Sequence, residues 1–239
     1  MTDYQGRFLT AGGPSLRDEI RKAGQEQSFA QGEALRAAGT MHPDGPVLVI
    51  DSGFVSTVAI AASAQYTLLS IRGPGDLAGE QVLFGNPSEL DELAVTGMTH
   101  GTAWWVSQKA FRQILDDHPQ GWEILAHHLH DRAAAAEKRI RLMAGETAGR
   151  RLAVFLLQLL SYEEQAQAPG DRAQRIPLPL SQTELAEWIG VSRETIERVL
   201  SGWTRRGLVE TGRRYLLVRD VPKLEEIAGV QQAVIQRAA

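Results

Sequence analysis

The chain has 239 residues, enough for one large or two modest domains, each burying its own core. With 43% hydrophobic and 23% charged residues it reads as a soluble globular protein, and its longest apolar run, Leu152 to Leu160, is too short to span a bilayer. The absence of cysteine excludes disulfides, thiol redox switching and cysteine-ligated iron–sulfur, haem or zinc centres, while a formal net charge of -4 does not by itself suggest a nucleic-acid binder.

In chain order, the start MTDYQGRF has no basic stretch leading into an apolar one, so no signal peptide and a cytoplasmic location are expected, with no membrane partner. An amphipathic patch around Leu16, Ile20 and Ala23 predicts a short leading helix. From Phe29 to Ser107 short apolar runs are punctuated by Gly, Pro, Asn and Asp: Val47–Ile50, Phe54–Ile60, Tyr66–Ile71, Leu93–Val95 and Thr102–Val106. Short strands at this spacing predict a β-roll or sandwich, with Trp104 and Trp105 as filling.

From Pro119 to Met143 the period turns helical. Trp122, Ala126, Leu129, Ala133, Ala136, Ile140 and Met143 follow alternating steps of four and three, a heptad seam. Three alanines along such a seam allow close two-stranded pairing, so a parallel homodimer through this helix is expected; a helix lying on its own β-domain is the alternative. Gly145 and Gly149 interrupt the pattern before a second helix from Arg150 to about Glu164.

Ser181 to Leu200, SQTELAEWIGVSRETIERVL, reads as a helix-turn-helix. Ala186 is small where two helices would cross, Gly190 accepts a left-handed turn four residues later, and Leu185, Ile189, Val191, Ile196 and Val199 supply a core. Ser181 with Glu184 forms an S-x-x-E capping box, and Ser192 caps the second helix. Gly207 to Glu210 and Tyr215 to Val218 then read as two strands around Thr211, Gly212, Arg213 and Arg214, a wing with two arginines at its tip. From Ser181 to Asp220 seven arginines face six acids, a local charge of +1, which predicts weak non-specific DNA affinity and reliance on base contacts. An ordinary αα-hairpin remains the alternative.

The order of these parts resembles the catabolite activator (CRP/FNR) family of bacterial transcription regulators. The resemblance covers nearly the whole chain and is carried by Ser192 to Leu200, by Phe29 to Glu33 (FAQGE) and by Pro74 to Glu80 (PGDLAGE). It implies an α+β architecture: a cyclic-nucleotide-binding-like β-roll with a short leading helix over 1–117, a dimerisation helix over 118–144 and a winged helix-turn-helix over 145–239. It implies a non-enzymatic regulator that binds double-stranded DNA as a homodimer, with RNA polymerase as a further partner. The family's cyclic-AMP-responsive branch reads a TGTGA-like half-site with Arg-Glu-x-x-x-Arg, matched here by Arg193, Glu194 and Arg198. Arginine can fork onto guanine O6 and N7, and glutamate can accept from cytosine N4; a solvated i, i+4 pair of Glu194 with Arg198 is the alternative. Ser181, Gln182, Ser192, Thr195, Arg213 and Arg214 are the remaining expected DNA contacts.

The resemblance also places an effector pocket at Gly79, Glu80, Glu92, Leu93, Ala94, Ala135 and Ala136. Gly79 and Glu80 match the residues that hold the ribose. Glu92, Leu93 and Ala94 fall on the family's Arg-Ser-Ala, setting a carboxylate where a phosphate needs a cation, and Ala135 and Ala136 replace Thr-Ser. Tight cyclic AMP or cyclic GMP binding is therefore not expected, and no cofactor is; an arginine entering from another direction, Arg72 among them, would reverse this. His127, His128, His130 and Asp131 are read as a solvated helix surface rather than a metal site, and His42 or His100 as remote candidates for haem. The competing function is a ligand-binding or protein-interaction module in which the helix-turn-helix is only a scaffold. No phosphate loop, nucleophile elbow or metalloprotease spacing supports an enzyme.

Overall fold

The computed structural model describes residues 8–37, 45–60, 66–84, 93–162 and 173–229. The chain forms two compact units, Met1–Ala133 and Ala134–Ala239.

The first unit is built on two four-stranded antiparallel sheets. Strands β1 (Gln25–Phe29), β8 (Gly101–Val106), β3 (Val47–Ser52) and β6 (Leu77–Ala78) form one, in the order β1-β8-β3-β6. Strands β2 (Ala34–Arg36), β7 (Leu93–Gly97), β4 (Val55–Ile60) and β5 (Tyr66–Arg72) form the other, in the order β2-β7-β4-β5. Side chains from both sheets share one core: Phe29, Leu48, Ile50, Ala78 and Ala103 from the first, Leu35, Val55 and Val95 from the second. Successive residues of a strand point to opposite faces. Hence β3 sends Leu48 and Ile50 into this core and Val47 and Val49 to a second one, where they meet helices. An unbroken apolar run, Val47 to Ile50, is what a strand covered on both faces requires.

Those helices are α1 (Phe8–Ala23), α2 (Gln108–Asp117) and the first turns of α3 (Gly121–Gly145). Phe8, Leu9, Leu16, Ile20, Phe111, Ile114, Leu115 and Leu125 complete the second core. The leading helix is longer than its sequence pattern suggests and is broken at Gly13 (φ 67°, ψ -169°), after which Pro14 starts the second piece. Helix α2 was not expected from the sequence: it starts at the Ser107 N-cap and fills the stretch between roll and long helix.

The second unit contains the end of α3, then α4 (Ala148–Leu160), β9 (Gln174–Arg175), α5 (Gln182–Ile189), α6 (Arg193–Arg205), β10 (Val209–Gly212), β11 (Tyr215–Val218) and α7 (Val221–Ala228). Thr147 caps α4, with Gly149 inside its first turn, and seven residues of α4 are buried. Asp220 caps α7, which has Pro222 in its first turn and Gly229 (φ 76°) after its end. Ile196, Leu200, Trp203, Leu216, Val218 and Leu224 are also buried. Among the described residues no helix is long and apolar enough to cross a membrane.

Candidate nucleic-acid interface and sensor pocket

Helices α5 and α6 and their connection follow the sequence expectation in detail. The Ser181 hydroxyl accepts from Glu184 N at 3.2 Å, and Glu184 Oε2 accepts from Ser181 N at 2.7 Å, a complete capping box. Gly190 ends α5 in the left-handed region (φ 69°, ψ 48°). Two residues on, Ser192 caps α6 by accepting from Thr195 N at 3.3 Å. Leu185, Ala186 and Ile189 are buried, as is Ile196; Val191 and Val199 are half-buried.

Burying Ile196, Leu200 and Trp203 on one side of α6 leaves Arg193, Glu194, Glu197 and Arg198 exposed. Ser192 is exposed beside them, while Thr195, Ser181 and Gln182 are half-buried. Glu194 lies in the first turn, where its own backbone N–H and the Ser192 hydroxyl donate to the carboxylate, aided by Arg193. These contacts hold it below the ordinary carboxylate range, which favours its ionised, hydrogen-bond-accepting form.

The wing is a tight hairpin, with Gly212 paired to Tyr215 and Arg213 and Arg214 alone forming its tip. Both arginines are exposed, and Arg214 has φ 55°, a conformation uncommon outside glycine. Two features were missed from sequence. Strand β9 adds a third strand to this sheet, pairing Arg175 with Leu217, and sets the Arg175 guanidinium 5.0 Å from the Tyr215 ring. Arg219, counted in the local charge, is ion-paired with Glu210.

In the roll, Gly79 is left-handed (φ 76°) and leads into a short 3-10 helix, Glu80–Leu83. Glu80 is 2% exposed, and its carboxylate is paired with Arg132 of α3. From the other direction Arg36 donates to the carbonyls of Gly79 and Pro46, and its guanidinium occupies the space that a Cβ at Gly79 would need. Burial pushes the Arg36 guanidinium below its ordinary value. Arg72 is 9% exposed and donates to Ile71 O at 3.3 Å. Arginines therefore do reach Gly79 and Glu80, but Arg132 is committed to a carboxylate and Arg36 to two carbonyls. Leu93 is half-buried, Ala94 buried, Ala135 half-buried and Ala136 exposed; Glu92 lies outside the described residues, as does His42.

Along α3 the expected seam is open: Ala126, Ala133, Ala136 and Ile140 are exposed, Ile140 at 66%, and Trp122, Leu129 and Met143 are half-buried. Met143 also packs on the helix-turn-helix, its Cε 3.4 Å from the place of a Cβ on Gly190. The solvated reading of the histidine cluster needs one correction. His127 and His130 are exposed, but His128 is 3% exposed and stands edge-on to Phe8, ring centroids 6.0 Å apart. Its polar ring masked an inward position. Among the described residues no group of three metal-binding side chains occurs.

A family model described as a Crp-like helix-turn-helix domain matches residues 150–227. The chain is 29% identical over 214 residues to the CRP-like cAMP-activated global transcriptional regulator of Mycobacterium tuberculosis, covering 88% of this chain and 91% of that one. It is 26% identical over 205 residues to the transcriptional regulator SdrP of Thermus thermophilus, covering 84% and 93%. In fold it is similar to FixK2 from Bradyrhizobium japonicum, with a TM-score of 0.65 at 21% identity over 85% of this chain and 96% of that one. Both curated relatives are transcriptional regulators by name. The capped helix-turn-helix, the antiparallel roll and the matches along most of the chain agree: residues 150–227 are similar to the Crp-like helix-turn-helix domain, and the chain as a whole is similar to CRP-like transcriptional regulators.

Proposed function

We propose that the protein acts as a homodimer on a pseudo-palindromic site with TGTGA-like half-sites, and that tight cyclic AMP binding does not control it. The observation that carries the DNA reading is the polar face of α6, where Arg193, Glu194 and Arg198 stand exposed opposite a buried Ile196, Leu200 and Trp203. Arg193 and Arg198 fork onto guanine, Glu194 accepts from cytosine N4, and each such pair contributes about 1–3 kcal/mol of discrimination. Ser181, Gln182, Ser192 and Thr195 at the two helix starts, with Arg213 and Arg214 on the wing, hold the phosphate backbone. Arg175 beside Tyr215 joins them.

Residues 1–117 form the sensor domain, 118–144 the dimerisation helix and 145–239 the DNA-binding domain. Dimerisation through α3 is supported by the exposed run Ala126, Ala133, Ala136 and Ile140, and a twofold dimer matches a twofold site. The Mycobacterium tuberculosis relative is cAMP-activated by name. Here Glu80 is already neutralised by Arg132, so an entering phosphodiester would compete with a buried carboxylate for the same cation. RNA polymerase is the partner through which DNA occupancy becomes regulation.

Two titrations test this. Fluorescence anisotropy on a TGTGA palindrome should show binding at least tenfold tighter than on a scrambled duplex, by an order-of-magnitude estimate. Equal affinity refutes the half-site. Calorimetry with cyclic AMP should show no micromolar binding, and its appearance refutes the effector reading.

A further inference from the structure

The C-terminal end of α5 is gripped by guanidinium groups from two other helices of the second unit. Arg139 of α3 donates Nη2 to Trp188 O at 3.0 Å and lies 4.0 Å from the centroid of the Trp188 ring. That ring is stacked on Phe155 of α4, centroids 4.9 Å apart. Arg151 of α4 donates Nη1 to Ile189 O at 3.2 Å and Nε to Glu146 O at 2.9 Å. The last carbonyls of a helix have no partner within it and form its negative end, so two cations there satisfy both hydrogen bonding and the dipole.

We propose that Arg139 is a positioning residue that fixes the angle of the recognition helix α6 to α3, and so sets the half-site spacing the dimer accepts. The inference rests on the homodimer reading. Helix α5 is joined to α6 by the tight turn through Gly190 and packed against it, with Leu185 and Ile196 both buried, so α6 moves with α5. Apolar packing between helices permits small rotations. A directed N–H···O bond combined with a planar stack on the same residue does not, because turning α5 breaks one or the other. Burial lowers the Arg139 guanidinium below its ordinary value, in keeping with a group held away from water. In a dimer paired along α3, this joint lies between the pairing helix and each reading head. Half-sites about one helical turn apart change relative direction by about 34° for each base pair inserted, so spacing reports the rigidity of the joint.

The test uses full-length protein and an operator selected from random duplexes by the wild type, with variants of that operator carrying one base pair more or fewer between half-sites. Wild type should prefer the selected spacing by about tenfold or more, the scale of DNA deformation costs. R139Q should sediment as the same dimer and unfold at similar urea, yet discriminate spacings by less than about threefold. R139K keeps a charge and a donor without the planar stack and should fall between, which also serves if R139Q does not fold. Dimeric variants with wild-type discrimination overturn the proposal. If the wild type itself sediments as a monomer with and without operator, the homodimer reading fails first and the inference with it.

Discussion

The buried pair Glu80–Arg132 gives the sharpest test of the sensor pocket. Glu80 is 2% exposed and Arg132 22% by side chain, so the carboxylate is almost wholly removed from water and its cation only mostly so. Replacing Arg132 with methionine keeps the aliphatic bulk and leaves a buried carboxylate without this cation. Breaking one side of a buried pair costs about 3–5 kcal/mol, and the partial exposure of Arg132 places the expected loss near the lower end, about 3 kcal/mol. For a unit of this size that lowers Tm by about 10 °C. The pair is then closed as a cycle: E80Q alone costs about 1–2 kcal/mol, because it strands the cation at a half-wet site, and E80Q added to R132M recovers most of the loss. Urea unfolding followed by roll tryptophan fluorescence measures all four corners. A loss below about 1 kcal/mol for R132M, or no recovery in the double variant, refutes the view that Arg132 is the structural partner of Glu80. It would also free Glu80 for a ligand hydroxyl and reopen the cyclic nucleotide question.

Ile140→Glu puts a charge on the exposed seam of α3, and sedimentation should show monomers with little change in the unfolding midpoint, since Ile140 is 66% exposed. Gly190→Ala forces a side chain into φ 69° with a Cβ 3.4 Å from Met143 Cε, and should destabilise the second unit by about 1–2 kcal/mol in thermal unfolding. Arg214→Gly relieves φ 55° at the wing tip and should leave stability unchanged or raise it by about 0.5–1 kcal/mol, while the salt slope of DNA binding falls by about one phosphate contact. Glu194 is depressed below the ordinary carboxylate range by its backbone N–H, Ser192 and Arg193. Its stabilising charge is therefore present above the unfolded carboxylate value and lost only as pH falls through the lower folded value. Discrimination at the base that Glu194 is proposed to read should persist while exposed carboxylates protonate, as anisotropy across that range would show.

The helix-turn-helix was legible because its determinants are local. A capping box, a left-handed Gly190 and an i, i+4 apolar stripe all lie within twenty residues, and each constrains backbone geometry directly. Strands β3, β4, β5, β7 and β8 of the roll were legible for the same reason, whereas the mostly polar β1 and the three-residue β2 were not. Strands β6 and β9, two residues each, have no local signal, since only their partners Leu48, Val49, Leu217 and Val218 define them. Helices α2 and α7 did carry signals that were passed over: Ser107 before Ala110, Phe111, Ile114 and Leu115, and Asp220 before Pro222, Leu224 and Ala228. In the pocket, Gly79 and Glu80 were found and their partners were not. Arg36 and Arg132 lie 43 and 52 positions away, and nothing in the surrounding sequence marks an arginine as inward-facing.

Helix α3 shows why one periodicity can hide another. Its internal contacts fall on Gly121, Leu125, His128, Arg132 and Arg139, again at steps of four and three with one heptad position skipped, one residue out of phase with the open seam. A 3.6-residue period allows both, because positions one apart lie about 100° around the helix. The open seam is apolar and announces itself as a pairing face. The internal one uses His128 against Phe8, Arg132 against Glu80 and Arg139 against Trp188, residues whose composition suggests solvent and whose partners are distant in sequence. The two faces use different side chains, so pairing through Ala126, Ala133, Ala136 and Ile140 need not break any of these internal contacts. Dimer formation and the internal grip on α5 can therefore be perturbed one at a time, which is the condition that lets Ile140 and Arg139 variants separate assembly from spacing.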